Sequence, residues 1–130
     1  MTLQNELARW MARHPRLKLG LLFGSLNDGQ PHAASDLDLA VMGDRALTAP
    51  EKMALIQDLA RQTGRPVDLV DLQRAHGTIL QQVLQTGTLL YCADHNLYAA
   101  LIKRHLFEEA DFRPYRDRIL AERRQAWIGE

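Results

Sequence analysis

Asp36 and Asp38 begin the apolar run "DLDLAVM", and Gly24 and Ser25 follow another, "LKLGLLF", with ten residues between the two pairs. In a strand, alternate side chains share a face, so Asp36 and Asp38 point one way and Leu37 and Leu39 the other. Two carboxylates on one face repel, and the economical compensation is one or two divalent cations bound by hard oxygen ligands. This predicts Mg²⁺. Magnesium takes one or two protein carboxylates together with substrate phosphates, which gives the Gly-Ser turn a purpose. Gly24 lets a phosphate approach the main chain, amides after the turn can donate to it, and the Ser25 hydroxyl adds another donor. The pieces together describe a site for a metal-bound nucleoside triphosphate.

A third carboxylate would complete a two-metal site for in-line displacement at phosphorus. The run "RPVDLVDL" offers Asp68 and Asp71, which have opposite parity, so a regular strand can turn only one of them to the site. Asp68 is preferred because it lies near the start of its strand, as Asp36 does, whereas Asp71 falls where the strand should end; Asp71 remains the alternative. The task expected of Asp68 is to accept or organise the proton of an attacking hydroxyl.

The elements that must position these groups can be followed along the chain. Leu3, Leu7, Trp10 and Met11 recur at helical spacing, and His14-Pro15 stops that helix near Arg13. The first two strands are those that flank the ten-residue gap. Thr48 to Glu51 has the spacing of a capping box, with a helical face of Met53, Ile56, Leu59 and Ala60 behind it and Gly64 beyond. "RPVDLVDL" is the third strand, "AHGTILQQVLQTG" a short helix ending at Gly87, and "TLLYC" a fourth strand. From Asp94 to Trp127 the pattern is helical again through Leu97, Leu101, Ile102 and Leu106, with Pro114 breaking or kinking it. The expected fold is α/β or α+β, a small mixed sheet of about four to five strands flanked by helices, with a C-terminal helical segment. One domain over residues 1–130 is expected, its core at about 17–92 and its C-terminal helices at about 94–128.

Whole-chain properties narrow the partners. Sixteen basic residues balance sixteen acidic ones, so no nucleic-acid coat and no membrane-surface binder is expected. The longest apolar stretch, Leu19–Phe23, is far below the roughly 20 residues of a bilayer span. The start lacks the order of a secretory signal. Cys92 is the only cysteine, which leaves neither an internal disulfide nor a Cys-rich zinc site and fits a reducing cytoplasm. His14, His32, His76, His95 and His105 make no H-x-x-x-H pair and are expected at the surface or at caps. Trp10 and Tyr98 have the spacing of core faces. Arg113, Arg116, Arg118, Arg123 and Arg124, with Tyr115 and Trp127, make either a solvated helix or an arm for docking a protein partner.

Gly24-Ser25, ten residues, Asp36-x-Asp38 and a later Asp68 resemble the signature of the polymerase beta-type nucleotidyltransferase superfamily. The likeness is to its minimal nucleotidyltransferase (MNT) domain, covers about Leu17 to Cys92, and implies the polymerase beta-like fold. Chains of this length are similar to the MntA-type antitoxins, which are paired with a HEPN-domain ribonuclease toxin. The resemblance implies ATP and Mg²⁺ as cofactors and AMP transfer to a tyrosine of the toxin. It places Gly24 and Ser25 on the triphosphate and Asp36, Asp38 and Asp68 on the metals. Family members often carry a basic residue directly after the Gly-Ser pair, whereas Leu26 and Asn27 stand here; Arg45 and Lys18 are the candidates to supply that charge. A nucleotidyltransferase for a small molecule or for RNA ends, or an antitoxin that only covers its toxin, are the alternative functions.

Overall fold

The computed structural model describes residues 2–27 and 35–110. Thr2 caps α1 (Leu3–Ala12), accepting the Asn5 N–H at 3.1 Å, and the buried stripe of α1 is Leu7, Trp10 and Met11. β1 (Leu19–Phe23) is buried along its whole length, and β2 (Leu37–Met42) nearly so. Strands covered on both faces are apolar runs without alternation, which is how both appear in the sequence. α2 (Ala49–Thr63) starts at the expected capping box, with Glu51 N–H on Thr48 Oγ1 at 3.3 Å and Thr48 N–H on Glu51 Oε1 at 2.9 Å. β3 (Val67–Asp71), α3 (Gly77–Thr86) and β4 (Thr88–Cys92) follow. Asp94 then caps a fourth helix, α4, described over residues 95–110, by accepting the N–H groups of Asn96 and Leu97.

The sheet has four strands in the order β3-β2-β1-β4. β1 pairs antiparallel with β2 and β4, while β2 and β3 are parallel, joined by the crossover through α2. The two faces carry separate cores. On one, Leu22, Leu37, Leu39, Val41 and Leu69 meet Leu7, Trp10 and Met11 of α1 and Leu59 of α2. On the other, Leu21, Phe23, Ala40 and Met42 meet Leu80 and Val83 of α3 and Leu101 of α4. Each of these leucines contributes on the order of 1.5–3 kcal/mol by leaving water. Trp10 satisfies its indole N–H on Asp58 Oδ2 at 2.8 Å.

Three expectations need correction. Met53 is 53% exposed; α2 turns Leu55, Ile56 and Leu59 to the sheet instead. In α4, Ile102 and Leu106 face outward, Leu106 at 60% exposure, because the inward line runs through Leu97, Tyr98, Leu101 and His105. His105 is therefore a buried residue, 8% exposed, with Nε2 3.7 Å from Glu109 Oε2. Pro114, the C-terminal arginines, Tyr115, Trp127 and His32 lie outside the described residues. Among the described residues no helix is long and apolar enough to cross a membrane.

Candidate functional site

Register places the candidate groups. In the antiparallel ladder Phe23 is opposite Asp38, so the chain leaves β1 at Gly24 beside the start of β2. In the parallel ladder Asp38 is opposite Asp68. Paired residues in neighbouring strands share a face, so both carboxylates stand side by side, on the face that carries Ala40, Met42 and Val70 further along. Asp36 lies one residue before β2 and is exposed, as is Asp68. The structure thus brings Gly24, Asp36, Asp38 and Asp68 to one end of the sheet.

Gly24 has φ +77°, a left-handed conformation, and a Cβ there would run into the Asp38 carboxylate. Both observations exclude a side chain at this point. Ser25 is exposed in a turn that the Asn27 N–H closes on the Gly24 carbonyl at 3.0 Å. Asp71 is different in kind. It pairs with Val41, projects to the opposite face from Asp68, and is 6% exposed. Its carboxylate accepts the N–H groups of Leu47 at 2.8 Å and Gln73 at 2.9 Å. It ties the loop before α2 to the end of β3, on the face of the sheet opposite Asp38 and Asp68.

Electrostatics mark Asp38 as the strained member. Its carboxyl is held above the ordinary carboxylate value, first by partial burial, then by the charge of Asp68, then by that of Asp36. Among the described residues none of the three carboxylates has a hydrogen bond or an ion pair, and no three His, Cys, Asp or Glu side chains are gathered closely enough to hold a metal ion by themselves. An open pair of carboxylates is what magnesium uses when phosphate oxygens and water complete its shell, so the donor set fits that ion. Structural cages with four protein ligands are a different design.

Lys18 and Arg45 are not at this end. Lys18 N–H bonds to the Met42 carbonyl, at the start of β1 and the end of β2, which is about 20 Å of strand away from Gly24. Arg45 lies beyond β2 and is engaged by Glu51 at 2.9 Å. The antiparallel hairpin puts both at the far edge. Two supporting residues escaped the sequence analysis. Arg65 Nη1 donates to the Ser35 carbonyl at 3.1 Å, and the Leu37 N–H donates to the Pro66 carbonyl at 2.8 Å, so the residues just before β3 hold the entry to β2. Asn27 fastens the turn after Ser25, with Nδ2 on the Thr86 carbonyl at 2.8 Å and Oδ1 accepting the Thr88 hydroxyl at 2.6 Å. Leu26 packs against the core. Nothing in local spacing signals either support, because the partners are about 30 and 60 residues apart.

Comparison with known proteins bears on the family and the fold. Residues 5–96 match the family model of polymerase beta nucleotidyltransferases. The protein adenylyltransferase MntA of Shewanella oneidensis is 40% identical over 77 residues, 59% of this chain and 55% of that protein. The match thus spans about half the length of that relative. A crystal structure of a toxin-antitoxin with AMP-PNP superposes with a TM-score of 0.72 at 30% identity, covering 92% of this chain and 99% of the other. A structure of tri-AMPylated Shewanella oneidensis HEPN toxin in complex with MNT antitoxin gives a TM-score of 0.65 at 29% identity, over 90% of this chain and 95% of the other. The family model covers well over half of the sequence, including every strand and all four aspartates: the chain belongs to the polymerase beta nucleotidyltransferase family.

Proposed function

We propose that the protein transfers AMP from ATP to a tyrosine of a HEPN-domain toxin, in the cytoplasm and with Mg²⁺, and so acts as an antitoxin. The observation that carries this reading is the pairing of Asp38 with Asp68 directly beside the side-chain-free turn at Gly24. The named relatives, an adenylyltransferase and antitoxins solved with AMP-PNP or with an AMPylated toxin, supply the substrate class.

In this mechanism Gly24 and Ser25 receive the triphosphate, the glycine by leaving room and the serine by donating its hydroxyl. Asp36, Asp38 and Asp68 would hold the magnesium. When bound, the ion supplies charge neutralisation for the phosphate oxygens as negative charge grows on them. Asp68, exposed at the edge, accepts the phenolic proton of the incoming tyrosine. The tyrosine oxygen forms its bond to the α-phosphorus while the bond to the β-phosphate oxygen breaks, and pyrophosphate leaves with the electron pair. The test is intact mass of the toxin after incubation with this protein, ATP and Mg²⁺. Whole AMP increments are expected, absent with Asp36→Asn or Asp38→Asn; a toxin that binds but gains no mass overturns the proposal in favour of simple cover.

A further inference from the structure

The turn that follows β1 is fastened at both of its ends to one residue. Leu22, two residues before Gly24, pairs with Thr88 in the β1-β4 ladder. Asn27, three residues after Gly24, accepts the hydroxyl of the same Thr88 at 2.6 Å. The assignment of the Asn27 amide is forced, since the Thr86 carbonyl can only accept and so takes the Nδ2 donor at 2.8 Å, leaving Oδ1 for the Thr88 hydroxyl. The anchor is itself fixed. The Gly87 N–H closes α3 on the Val83 carbonyl at 2.9 Å, and a Cβ on Gly87 would press on that carbonyl and come to 3.4 Å from the Leu22 carbonyl. α3, β4 and β1 therefore meet at one rigid junction, and Gly24, Ser25 and Leu26 bridge from it and back to it.

We infer that Asn27 is a positioning residue for nucleotide binding: its clamp on Thr86 and Thr88 holds the Gly24-Ser25 turn in the shape that receives the triphosphate. This rests on the proposed function and gives a physical role to a residue that stands where a positive charge would be expected. A fixed turn needs no reordering when the ligand arrives, and preorganisation of that kind appears directly in affinity. The clamp ties the proposed triphosphate turn to Thr86 and Thr88, so its loss should weaken AMP-PNP more than AMP.

The full chain serves for the test, as wild type, Asn27→Ala, Thr88→Val and Thr88→Ser. Affinity for AMP-PNP with Mg²⁺ and for AMP is measured by calorimetry, with thermal unfolding confirming that each variant is folded at the assay temperature. Asn27→Ala and Thr88→Val are expected to weaken AMP-PNP by about tenfold, the size of one net hydrogen bond, with little change for AMP. Thr88→Ser keeps the hydroxyl and should bind as wild type does. Unchanged AMP-PNP affinity in Asn27→Ala and Thr88→Val overturns the inference. Equal weakening of AMP and AMP-PNP does so too, because it marks a general structural defect. Failure of the wild type to bind AMP-PNP rejects the nucleotide site itself, an outcome distinct from both.

Discussion

Asp38→Asn should make the metal-free protein more stable while it destroys the activity. The Asp38 carboxyl sits above its ordinary value of 3.8 because burial opposes its charge, and Asp68 and Asp36 oppose it further. The folded chain therefore binds this proton more tightly than the unfolded chain does. The resulting stabilisation is fully present below pH 3.8 and is lost as pH rises through the raised value, so at pH 7 the ionised group works against folding. Water reaches the site and screens the repulsion, which keeps the cost in the range for like charges paired across strands, a few tenths to about 1 kcal/mol. For a chain of this length that corresponds to a rise in Tm of about 1–5 °C in the asparagine variant. Thermal unfolding in EDTA from pH 3.5 to 7.5 provides the assay. The variant's advantage should be largest near neutrality, shrink toward the acid end, and fall in 1 M salt. With Mg²⁺ and AMP-PNP the order should reverse, since only the wild type gains from binding. A variant at pH 7 that melts at or below the wild-type temperature would refute the claim that this carboxylate is uncompensated in the folded protein.

Gly24→Ala combines a left-handed backbone with a Cβ directed at Asp38, so it should cost about 1–3 kcal/mol in chemical denaturation and remove AMP-PNP binding. Adding Asp38→Ala should return part of the stability, because the two positions touch. Asp68→Asn and Asp71→Ala should separate cleanly. The first removes a charge that opposes Asp38, so it is expected to raise the denaturation midpoint slightly and abolish AMP transfer by intact mass, while the second loses the buried Leu47 N–H and part-buried Gln73 N–H partners and about 3 kcal/mol, with transfer by the folded fraction retained. Thr48→Ala removes one half of the capping box on α2 and should cost about 1 kcal/mol without affecting nucleotide affinity.

Much of the fold was legible because its signals are local. The capping box at Thr48, Gly87 closing α3 and the two apolar runs around the ten-residue gap each depend on neighbours a few residues away, and each lies where the pattern put it. Helix faces were less secure. Successive helical positions are 100° apart, so a residue one step from the core line, such as Ile102 beside Leu101, satisfies the same spacing yet points to water. Met53 and Leu106 fail for this reason. His105 errs the other way: composition favours the surface, but its place four residues after Leu101 carries it into the packed face.

Parity alone separated Asp68 from Asp71, since strand alternation is independent of what lies alongside, whereas Asp36 lies one residue before β2, where alternation does not fix its direction. It could not say which residue of β3 lies next to Asp38. A shift of one residue between β2 and β3 would set Asp38 beside Val67 or Leu69 and turn Asp68 to the other face, so the carboxylate pair would not exist. What fixes the register is the bond from the Leu37 N–H to the Pro66 carbonyl, reinforced by Arg65 on the Ser35 carbonyl. Pro66 has no N–H to offer and joins β2 through its carbonyl alone. The crossover through α2 must return the chain to that point, which makes the capping box and the Asp71 tie to Leu47, both at its start, conditions of the site as well as of the fold. The chemistry of the aspartates is written in their types and spacing, whereas their meeting depends on contacts about 30 residues apart that spacing does not record.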